Sequence, residues 1–119
     1  MKGLHIIIDL YDVKNQEVLE RLDALERVLD MIAKSLELNV VGKTGFQFEP
    51  AGATAVLVLA ESHFSAHTWY ENKRVCVDLF TCNADALDAP LFLQLVQEAF
   101  MTGVVVCRKM RRLEAHSHA

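Results

Sequence analysis

Ser62 directly follows a carboxylate, Glu61, in the stretch ESHFSAHTW at residues 61–69, and Cys82 comes after the next strand-like segment. A serine hydroxyl can attack the carbonyl of the preceding residue and convert that peptide bond to an ester. Removal of the serine Cα proton then expels the carboxylate, and the remaining dehydroalanine hydrolyses to a pyruvoyl group. The first step is uphill unless the bond is strained and the oxyanion is stabilised. These residue types therefore predict a chain that cuts its own backbone in front of Ser62.

Cleavage at this position gives a chain of residues 1–61 and a chain of residues 62–119 that begins with the new carbonyl. Such a carbonyl forms a Schiff base with the α-amine of a substrate and accepts electrons as carbon dioxide leaves. A cysteine that protonates the resulting carbanion must be a thiol, so its pKa cannot be strongly lowered. Alone, a Glu-Ser pair, His67 or Cys82 more often has a structural role. Only their combination predicts this chemistry.

The combination resembles the self-processing site of the bacterial and archaeal S-adenosylmethionine decarboxylases, in which ESHxxxHTW is followed by DxFTC, here at residues 78–82. These are small pyruvoyl enzymes of polyamine and spermidine synthesis. The resemblance implies that Ser62 is the precursor of the pyruvoyl cofactor, that His67 is the base that assists processing, and that Cys82 is the proton donor. It also implies a lyase made as a proenzyme, which converts S-adenosylmethionine to its decarboxylated aminopropyl donor and carbon dioxide.

Upstream of this motif, FQFEPAGATA at residues 46–55 follows the family pattern in part. Phe48 matches the pattern, whereas Phe46 replaces a histidine. Thr54 stands at the position of a serine that the resemblance implies helps to polarise the processing carbonyl. Threonine keeps the hydroxyl but stiffens χ1, so we expect processing to be slower without being lost.

The residues expected to hold the substrate are less well matched. Downstream, TWYENKRV at residues 68–75 keeps Glu71, which resembles the acid that binds the ribose hydroxyls, but lacks the proline and tyrosines of the family. A sulfonium cation and an adenine ring both favour aromatic faces. Phe48 fits that role, and Phe46 is either a second aromatic face or ordinary core.

Two alternatives to this function remain open. If Glu49, expected in a solvated turn, or Glu71 faces inward, it can pair with a guanidinium or ammonium group. The same pyruvoyl chemistry would then act on arginine or ornithine. The other alternative is a relative that is not processed and binds a ligand or a catalytic partner without turnover.

The composition is that of one domain of 119 residues, with 52% hydrophobic residues and a net charge of −4. This charge gives no basic face for nucleic acid, and we interpret the basic cluster at residues 108–112 as a solvated strand end. No apolar run approaches the roughly 20 residues of a membrane span, and the N-terminus does not resemble a signal peptide. The cytoplasm is the expected location.

The three cysteines, at positions 76, 82 and 107, form no CxxC motif. We therefore predict neither a disulfide framework nor a metal site. Cys76 and Cys107 have no motif around them, and we interpret both as core residues.

Hydrophobic periodicity predicts the order β-α-β-β-β-α-β, with strands at residues 4–10, 38–48, 54–60, 73–81 and 104–107. One long helix is expected from the N-cap Asn15 to Leu36, and a second helix is expected to end at Gly103. The tail after Leu113 is expected to be mobile.

Two helices on one face of a mostly antiparallel sheet make a two-layer α+β sandwich. Alternation in the fourth predicted strand sends Val75, Val77 and Leu79 to one face, and Cys76, Asp78 and Phe80 to the other. The sheet face without helices is left open. We therefore predict a homodimer that pairs two sandwiches into four layers, as the resemblance also implies.

Overall fold

Six strands form a single sheet in a computed structural model of the chain, which describes residues 2–114. The strands are β1 (Gly3–Tyr11), β2 (Val40–Gln47), β3 (Ala53–Leu59), β4 (Ser62–Trp69), β5 (Arg74–Thr81) and β6 (Val104–Arg112). Their order across the sheet is β2-β3-β4-β5-β1-β6, and every neighbouring pair is antiparallel. The helices are α1 (Gln16–Glu20), α2 (Leu22–Ser35) and α3 (Ala89–Phe100), with short 3-10 turns at Tyr70–Asn72 and Ala84–Ala86.

The predicted α+β sandwich with an antiparallel sheet is confirmed, but the predicted number of strands is wrong. The motif segment from Ser62 to Trp69 is itself a strand, so the sheet has six strands instead of five. Its central position, paired with β3 on one side and β5 on the other, makes the motif part of the rigid sheet.

The first helix is broken where the sequence predicts continuity. Asn15 is the N-cap, as predicted, because its Oδ1 accepts a hydrogen bond from the Val18 amide at 3.3 Å. At Arg21 the backbone is extended, with φ −118° and ψ 132°, and α2 starts at the next residue. The amide of Leu22 donates to Gln47 Oε1 at 2.6 Å, so a side chain from β2 caps this second helix.

The helix α3 ends earlier than predicted. Asp88 is its N-cap, and its C-cap Met101 has a φ of 60°, in the left-handed region. The helix therefore stops at Phe100, before Gly103 is reached. The predicted mobile tail lies, from residue 115 on, outside the described residues.

The core lies between the helices and one face of the sheet. The alternation predicted for β5 is confirmed, since Val75, Val77 and Leu79 are buried whereas Cys76, Asp78 and Phe80 are not. The other sheet face has no helix over it in the described part of the chain, and several large apolar side chains on this face are exposed: Ile7, Phe46, Val58, Trp69, Val104, Val106 and Met110. We call this surface the open face. None of the helices described between residues 2 and 114 is long and apolar enough to cross a membrane.

Gly45 in β2 gives a test of the packing between strand and helix. A Cβ at this position would lie 2.6 Å from Leu22 Cδ1 and 2.9 Å from the Thr54 carbonyl oxygen, which belongs to the backbone and cannot turn away. We expect Gly45→Ala to lower the free energy of unfolding by about 1–3 kcal/mol, the usual cost of overpacking. Urea unfolding measures this. Gly103→Ala is the matched control, because no atom lies within 4 Å of its Cβ position. Equal effects of the two changes would contradict the prediction.

Candidate active site

Ser62 is held where β4 begins, beside the end of β5. It lies opposite Thr81 in the β4–β5 register, and the connection from β3 ends at Glu61. The Cys82 amide donates a hydrogen bond to the Glu61 carbonyl oxygen at 3.1 Å. That carbonyl is the one a Ser62 hydroxyl would attack. The backbone of Cys82 therefore supplies one donor where an oxyanion would form.

The Ser62 hydroxyl contacts one end of a row of polar side chains on the open face, which consists of His63, Asp78 and His5. Its Oγ lies 3.4 Å from His63 Nδ1, and His63 Nε2 lies 3.3 Å from Asp78 Oδ1. The same carboxylate oxygen is 2.6 Å from His5 Nε2. The rings of His5 and His63 both lie near Phe80, at centroid distances of 5.6 and 6.0 Å. The set is partly buried.

His5, His63 and Asp78 could also offer ligands to a metal ion, since one ligand atom from each lies within 4.8 Å of the others. The sequence predicted no metal at any position, and no cysteine spacing pointed to one. Two imidazoles and a carboxylate suit transition metals. In the structure these atoms are already joined by hydrogen bonds through the Asp78 oxygen.

His67 lies at the opposite end of β4, in a second polar group. Its Nδ1 is 3.0 Å from Thr54 Oγ1, in the neighbouring strand β3. On the other side it faces Cys76 of β5, whose Sγ donates to Asp9 Oδ1 at 3.5 Å. Cys76 is thus a polar partner on the open face, and its interpretation as a core residue is wrong. Cys107, by contrast, packs against the core as expected.

The two ends of β4 are too far apart for one chain to bring Ser62 and His67 together. A strand rises about 3.3 Å per residue, so their Cα atoms, five positions apart, are separated by about 16 Å. Ser62 and Cys82 form one group, which we call the serine end. Thr54 and His67 form the other, which we call the histidine end. A single chain therefore does not join the serine end to the histidine end.

The residues expected to bind substrate gather at the histidine end. Phe46 and Phe48 pack edge to face, with ring centroids 4.9 Å apart. Phe46 is 60% exposed, so it is not a core residue within this chain. A cavity of about 300 Å³ is lined by Phe48, Trp69, the turn at residues 49–52 and Glu71. Phe48 and Glu71, predicted separately, thus border the same space.

Glu61 has an unusual side chain as well as a reactive carbonyl. Its Oε1 lies 3.4 Å from the Asn39 amide. Its Oε2 is buried, and within residues 2–114 it has no hydrogen-bond partner. Glu61 therefore combines a carbonyl bonded to the Cys82 amide with a buried carboxylate oxygen that lacks a hydrogen bond within these residues.

Sequence reasoning missed His5 and Asp9, and it included His63 and Asp78 in the motifs without a role for either. His5 and Asp9 interrupt the apolar run of β1 four positions apart, and their partners occupy the matching face of β5. Two polar residues an even number of positions apart in an apolar strand lie on one face, and this is the signal that could have found them.

The thiol of Cys76 has a raised pKa, because burial disfavours the thiolate and because Asp9 holds the proton and repels the negative charge. A raised pKa leaves less thiolate at a given pH, so we expect Cys76 to react with iodoacetamide at pH 8 more slowly than glutathione does. Asp9→Asn should speed the reaction by less than about tenfold, since burial, the larger cause, remains. Peptide mass spectrometry of residue 76 measures the rate. Asp12→Asn is the control, because it removes a carboxylate that is paired with Lys14. Unchanged labelling in Asp9→Asn would contradict the prediction.

Comparison with protein families gives a match over residues 4–113 to the model described as S-adenosylmethionine decarboxylase. Similar proteins include the S-adenosylmethionine decarboxylase proenzyme of Hydrogenobaculum sp. (strain Y04AAS1), which is 48% identical over 80 residues. This alignment covers 67% of the present chain and 59% of that protein. The proenzyme of the same name from Archaeoglobus fulgidus is 40% identical over 80 residues, covering 67% of this chain and 70% of its own.

The S-adenosylmethionine decarboxylase proenzyme of Aquifex aeolicus (strain VF5) is 41% identical over 80 residues, and the alignment covers 58% of that protein. The chain thus spans about three-fifths of the length of the Hydrogenobaculum and Aquifex relatives. Among solved structures, the adenosylmethionine decarboxylase from Aquifex aeolicus VF5 superposes with a TM-score of 0.87 and 29% identity, covering 98% of this chain and 95% of that one.

Proposed function

The chain belongs to the S-adenosylmethionine decarboxylase family, and from this premise we propose that it is a proenzyme that cuts itself between Glu61 and Ser62 and then decarboxylates S-adenosylmethionine. The observation that carries the proposal is the hydrogen bond from the Cys82 amide to the Glu61 carbonyl, next to the Ser62 hydroxyl. It supports the proposal because a nucleophile, its target carbonyl and an oxyanion donor would then lie together at the serine end.

Maturation begins when Ser62 Oγ attacks the Glu61 carbonyl carbon. The negative charge that develops on the carbonyl oxygen is stabilised by the Cys82 amide. When the peptide bond breaks, the Glu61 acyl group is left on the serine oxygen as an ester. A base then takes the Cα proton of Ser62, and the main-chain carboxylate of Glu61 leaves as the new C-terminus of the first chain. Water releases ammonia from the dehydroalanine and produces the pyruvoyl terminus of the chain that starts at residue 62.

We assign the removal of the Cα proton to His67, and this assignment requires a second copy of the chain. His67 of the same chain is about 16 Å away along β4. Two copies that pair through their open faces in opposite directions would bring the histidine end of one to the serine end of the other. The exposed apolar side chains of the open face support this pairing, since such patches mark interfaces. We therefore propose a homodimer with two shared sites.

The pyruvoyl group supplies a carbonyl that condenses with the substrate α-amine and takes up electrons as carbon dioxide departs. Around it, the residues of the chain bind the substrate and supply the proton. The thiol of Cys82, whose backbone amide is bonded to the residue before Ser62, is the proposed donor. Phe48 and Trp69 offer aromatic faces to a sulfonium cation or an adenine ring, and Glu71 offers a carboxylate to ribose hydroxyls.

A second substrate class is favoured by a specific observation. Glu49 lines the same cavity of about 300 Å³ as Glu71, so two carboxylates border the space. Such a pair also suits the guanidinium of arginine or the second ammonium of ornithine. Release of carbon dioxide from each of the three substrates by the processed protein separates these alternatives. Release from arginine or ornithine alone would overturn S-adenosylmethionine as the substrate.

The mass of the purified protein under denaturing conditions tests the processing step. We expect two fragments, the second starting at residue 62 with a pyruvoyl terminus, and we expect Ser62→Ala to stay as one full-length chain. Alanine at position 62 has no hydroxyl, so the ester with Glu61 cannot form in this variant. A wild-type protein that remains full-length would overturn the proposal and favour a relative that is not processed.

Thr54 gives a further test of the histidine end. Thr54→Val has nearly the same shape but removes the hydroxyl that contacts His67 Nδ1 at 3.0 Å. We expect processing to slow, because His67 loses the partner that orients its ring, whereas Thr54→Ser should process at least as fast as wild type. The time course of fragment formation by mass measures both. Equal rates for Thr54→Val and wild type would remove Thr54 from the site.

A further inference from the structure

Processing requires two proton transfers that His67 does not explain. Ser62 Oγ must lose its proton when it attacks, and the Ser62 nitrogen must gain one when the peptide bond breaks. Both atoms belong to the serine end. There the nearest imidazole is that of His63, with Nδ1 3.4 Å from Ser62 Oγ. The sequence motif includes this histidine, but motif reasoning assigned no role to it.

The hydrogen bonds of Asp78 decide which His63 nitrogen can accept a proton. A carboxylate accepts only, so His63 must donate through Nε2 to Asp78 Oδ1 at 3.3 Å. An imidazole that carries its proton on Nε2 has a free lone pair on Nδ1. That lone pair is on the side of the Ser62 hydroxyl. Asp78 therefore prepares His63 as a base toward Ser62.

We propose that His63 is the base of the first processing step. Its Nδ1 takes the proton from Ser62 Oγ as the oxygen bonds to the Glu61 carbonyl carbon. It returns that proton to the Ser62 nitrogen as the C–N bond breaks. One imidazole therefore both accepts and donates the same proton, and no other acid is needed. The imidazolium that forms in between is stabilised by the Asp78 carboxylate.

His5 acts as a positioning residue in this arrangement. Its Nε2 contacts the same Asp78 oxygen at 2.6 Å and so fixes the carboxylate that orients His63. Three strands, β1, β4 and β5, each supply one member of the row. The row is complete within one chain, whereas His67 acts from the partner copy. The two histidines of the motif thus serve two successive steps.

The inference rests on the proposed function, and its test separates the two. Wild-type, His63→Gln and His67→Ala chains are synthesised in a cell-free system and followed by intact mass. Each is also treated with hydroxylamine, which cuts an ester but not a peptide bond. We expect His63→Gln to be processed at least about 10²-fold more slowly than wild type, the usual contribution of a general base. Hydroxylamine should not cut it, because no ester forms.

His67→Ala gives the opposite expected result. Its ester forms but is not eliminated, so hydroxylamine should cut it into a Glu61 hydroxamate and a chain that begins with serine. In a His63→Ala chain, added imidazole should restore part of the processing rate, which a merely structural role of His63 would not allow. Asp78→Asn should also block processing before the ester. Ser65→Ala is the matched control, because it lies on the same face of β4 and faces Asp78 across the ladder.

The outcomes are distinct. A wild-type chain that stays whole and is not cut by hydroxylamine overturns the proposed function. If wild type is processed and His63→Gln is processed at the same rate, only the present inference is overturned. Accumulation of a hydroxylamine-sensitive ester in His63→Gln would likewise assign the first step to another base.

Discussion

Co-expression of a Ser62→Ala chain with a His67→Ala chain is expected to restore processing that neither chain shows alone. The first lacks the nucleophile and the second lacks the base for elimination. In a mixed dimer, one of the two shared sites combines Ser62 of the His67→Ala chain with His67 of the Ser62→Ala chain. That site is complete. The other site lacks both residues.

The prediction specifies which chain is cut. Only the His67→Ala chain should give a fragment with a pyruvoyl terminus, and with equal expression and random pairing about half of it should do so. Distinct tags on the two chains and intact mass measure this. The control is a chain that carries both Ser62→Ala and His67→Ala, expressed alone, in which no site is complete. No recovery in the mixture, or normal processing of His67→Ala alone, would contradict a site shared between copies.

Cys82→Ala is expected to separate processing from turnover. The backbone N–H of residue 82 is retained by alanine, so its hydrogen bond to the Glu61 carbonyl persists and cleavage should remain close to wild type. The side chain, however, is the proposed proton donor of the decarboxylation. Without it, we expect kcat to fall by about 10²-fold or more, the usual contribution of a general acid.

Fragment formation by mass and release of carbon dioxide are measured on the same preparation. Cys107→Ala is the matched control, since this thiol belongs to β6 and packs toward the core. It should leave kcat unchanged. A Cys82→Ala enzyme with normal kcat would remove Cys82 from the donor role, whereas loss of cleavage would mean that its thiol also takes part in maturation.

The sequence was sufficient to predict the sandwich. Period-two alternation in β5 separated the core residues from the open face, because Val75, Val77 and Leu79 alternate with positions that include the polar Asp78. It was not sufficient for β4. Its open-face positions from His63 to His67 are polar and its core positions include small side chains, Ala66 and Thr68, so the strand lacks the branched apolar residues that usually mark one.

The break between α1 and α2 could not be predicted for a different reason. The apolar spacing continues through Arg21 without interruption, and the group that caps α2 is Gln47, 25 positions further along the chain. The division of the site between two ends follows from the strand itself. Five positions span only about 7.5 Å along a helix, but in a strand they separate Ser62 from His67 by about 16 Å.

The strand order has a consequence for refolding. A cut before Ser62 leaves β1, β2 and β3 on one polypeptide and β4, β5 and β6 on the other, yet the sheet order β2-β3-β4-β5-β1-β6 interleaves them. Three of the five ladders, β3–β4, β5–β1 and β1–β6, then join separate molecules. If the chain is cut as proposed, its two halves must find each other by diffusion after denaturation, without the loop closure that the uncut chain provides. Recovery after denaturation should thus depend on concentration more steeply for the mature protein than for uncut Ser62→Ala.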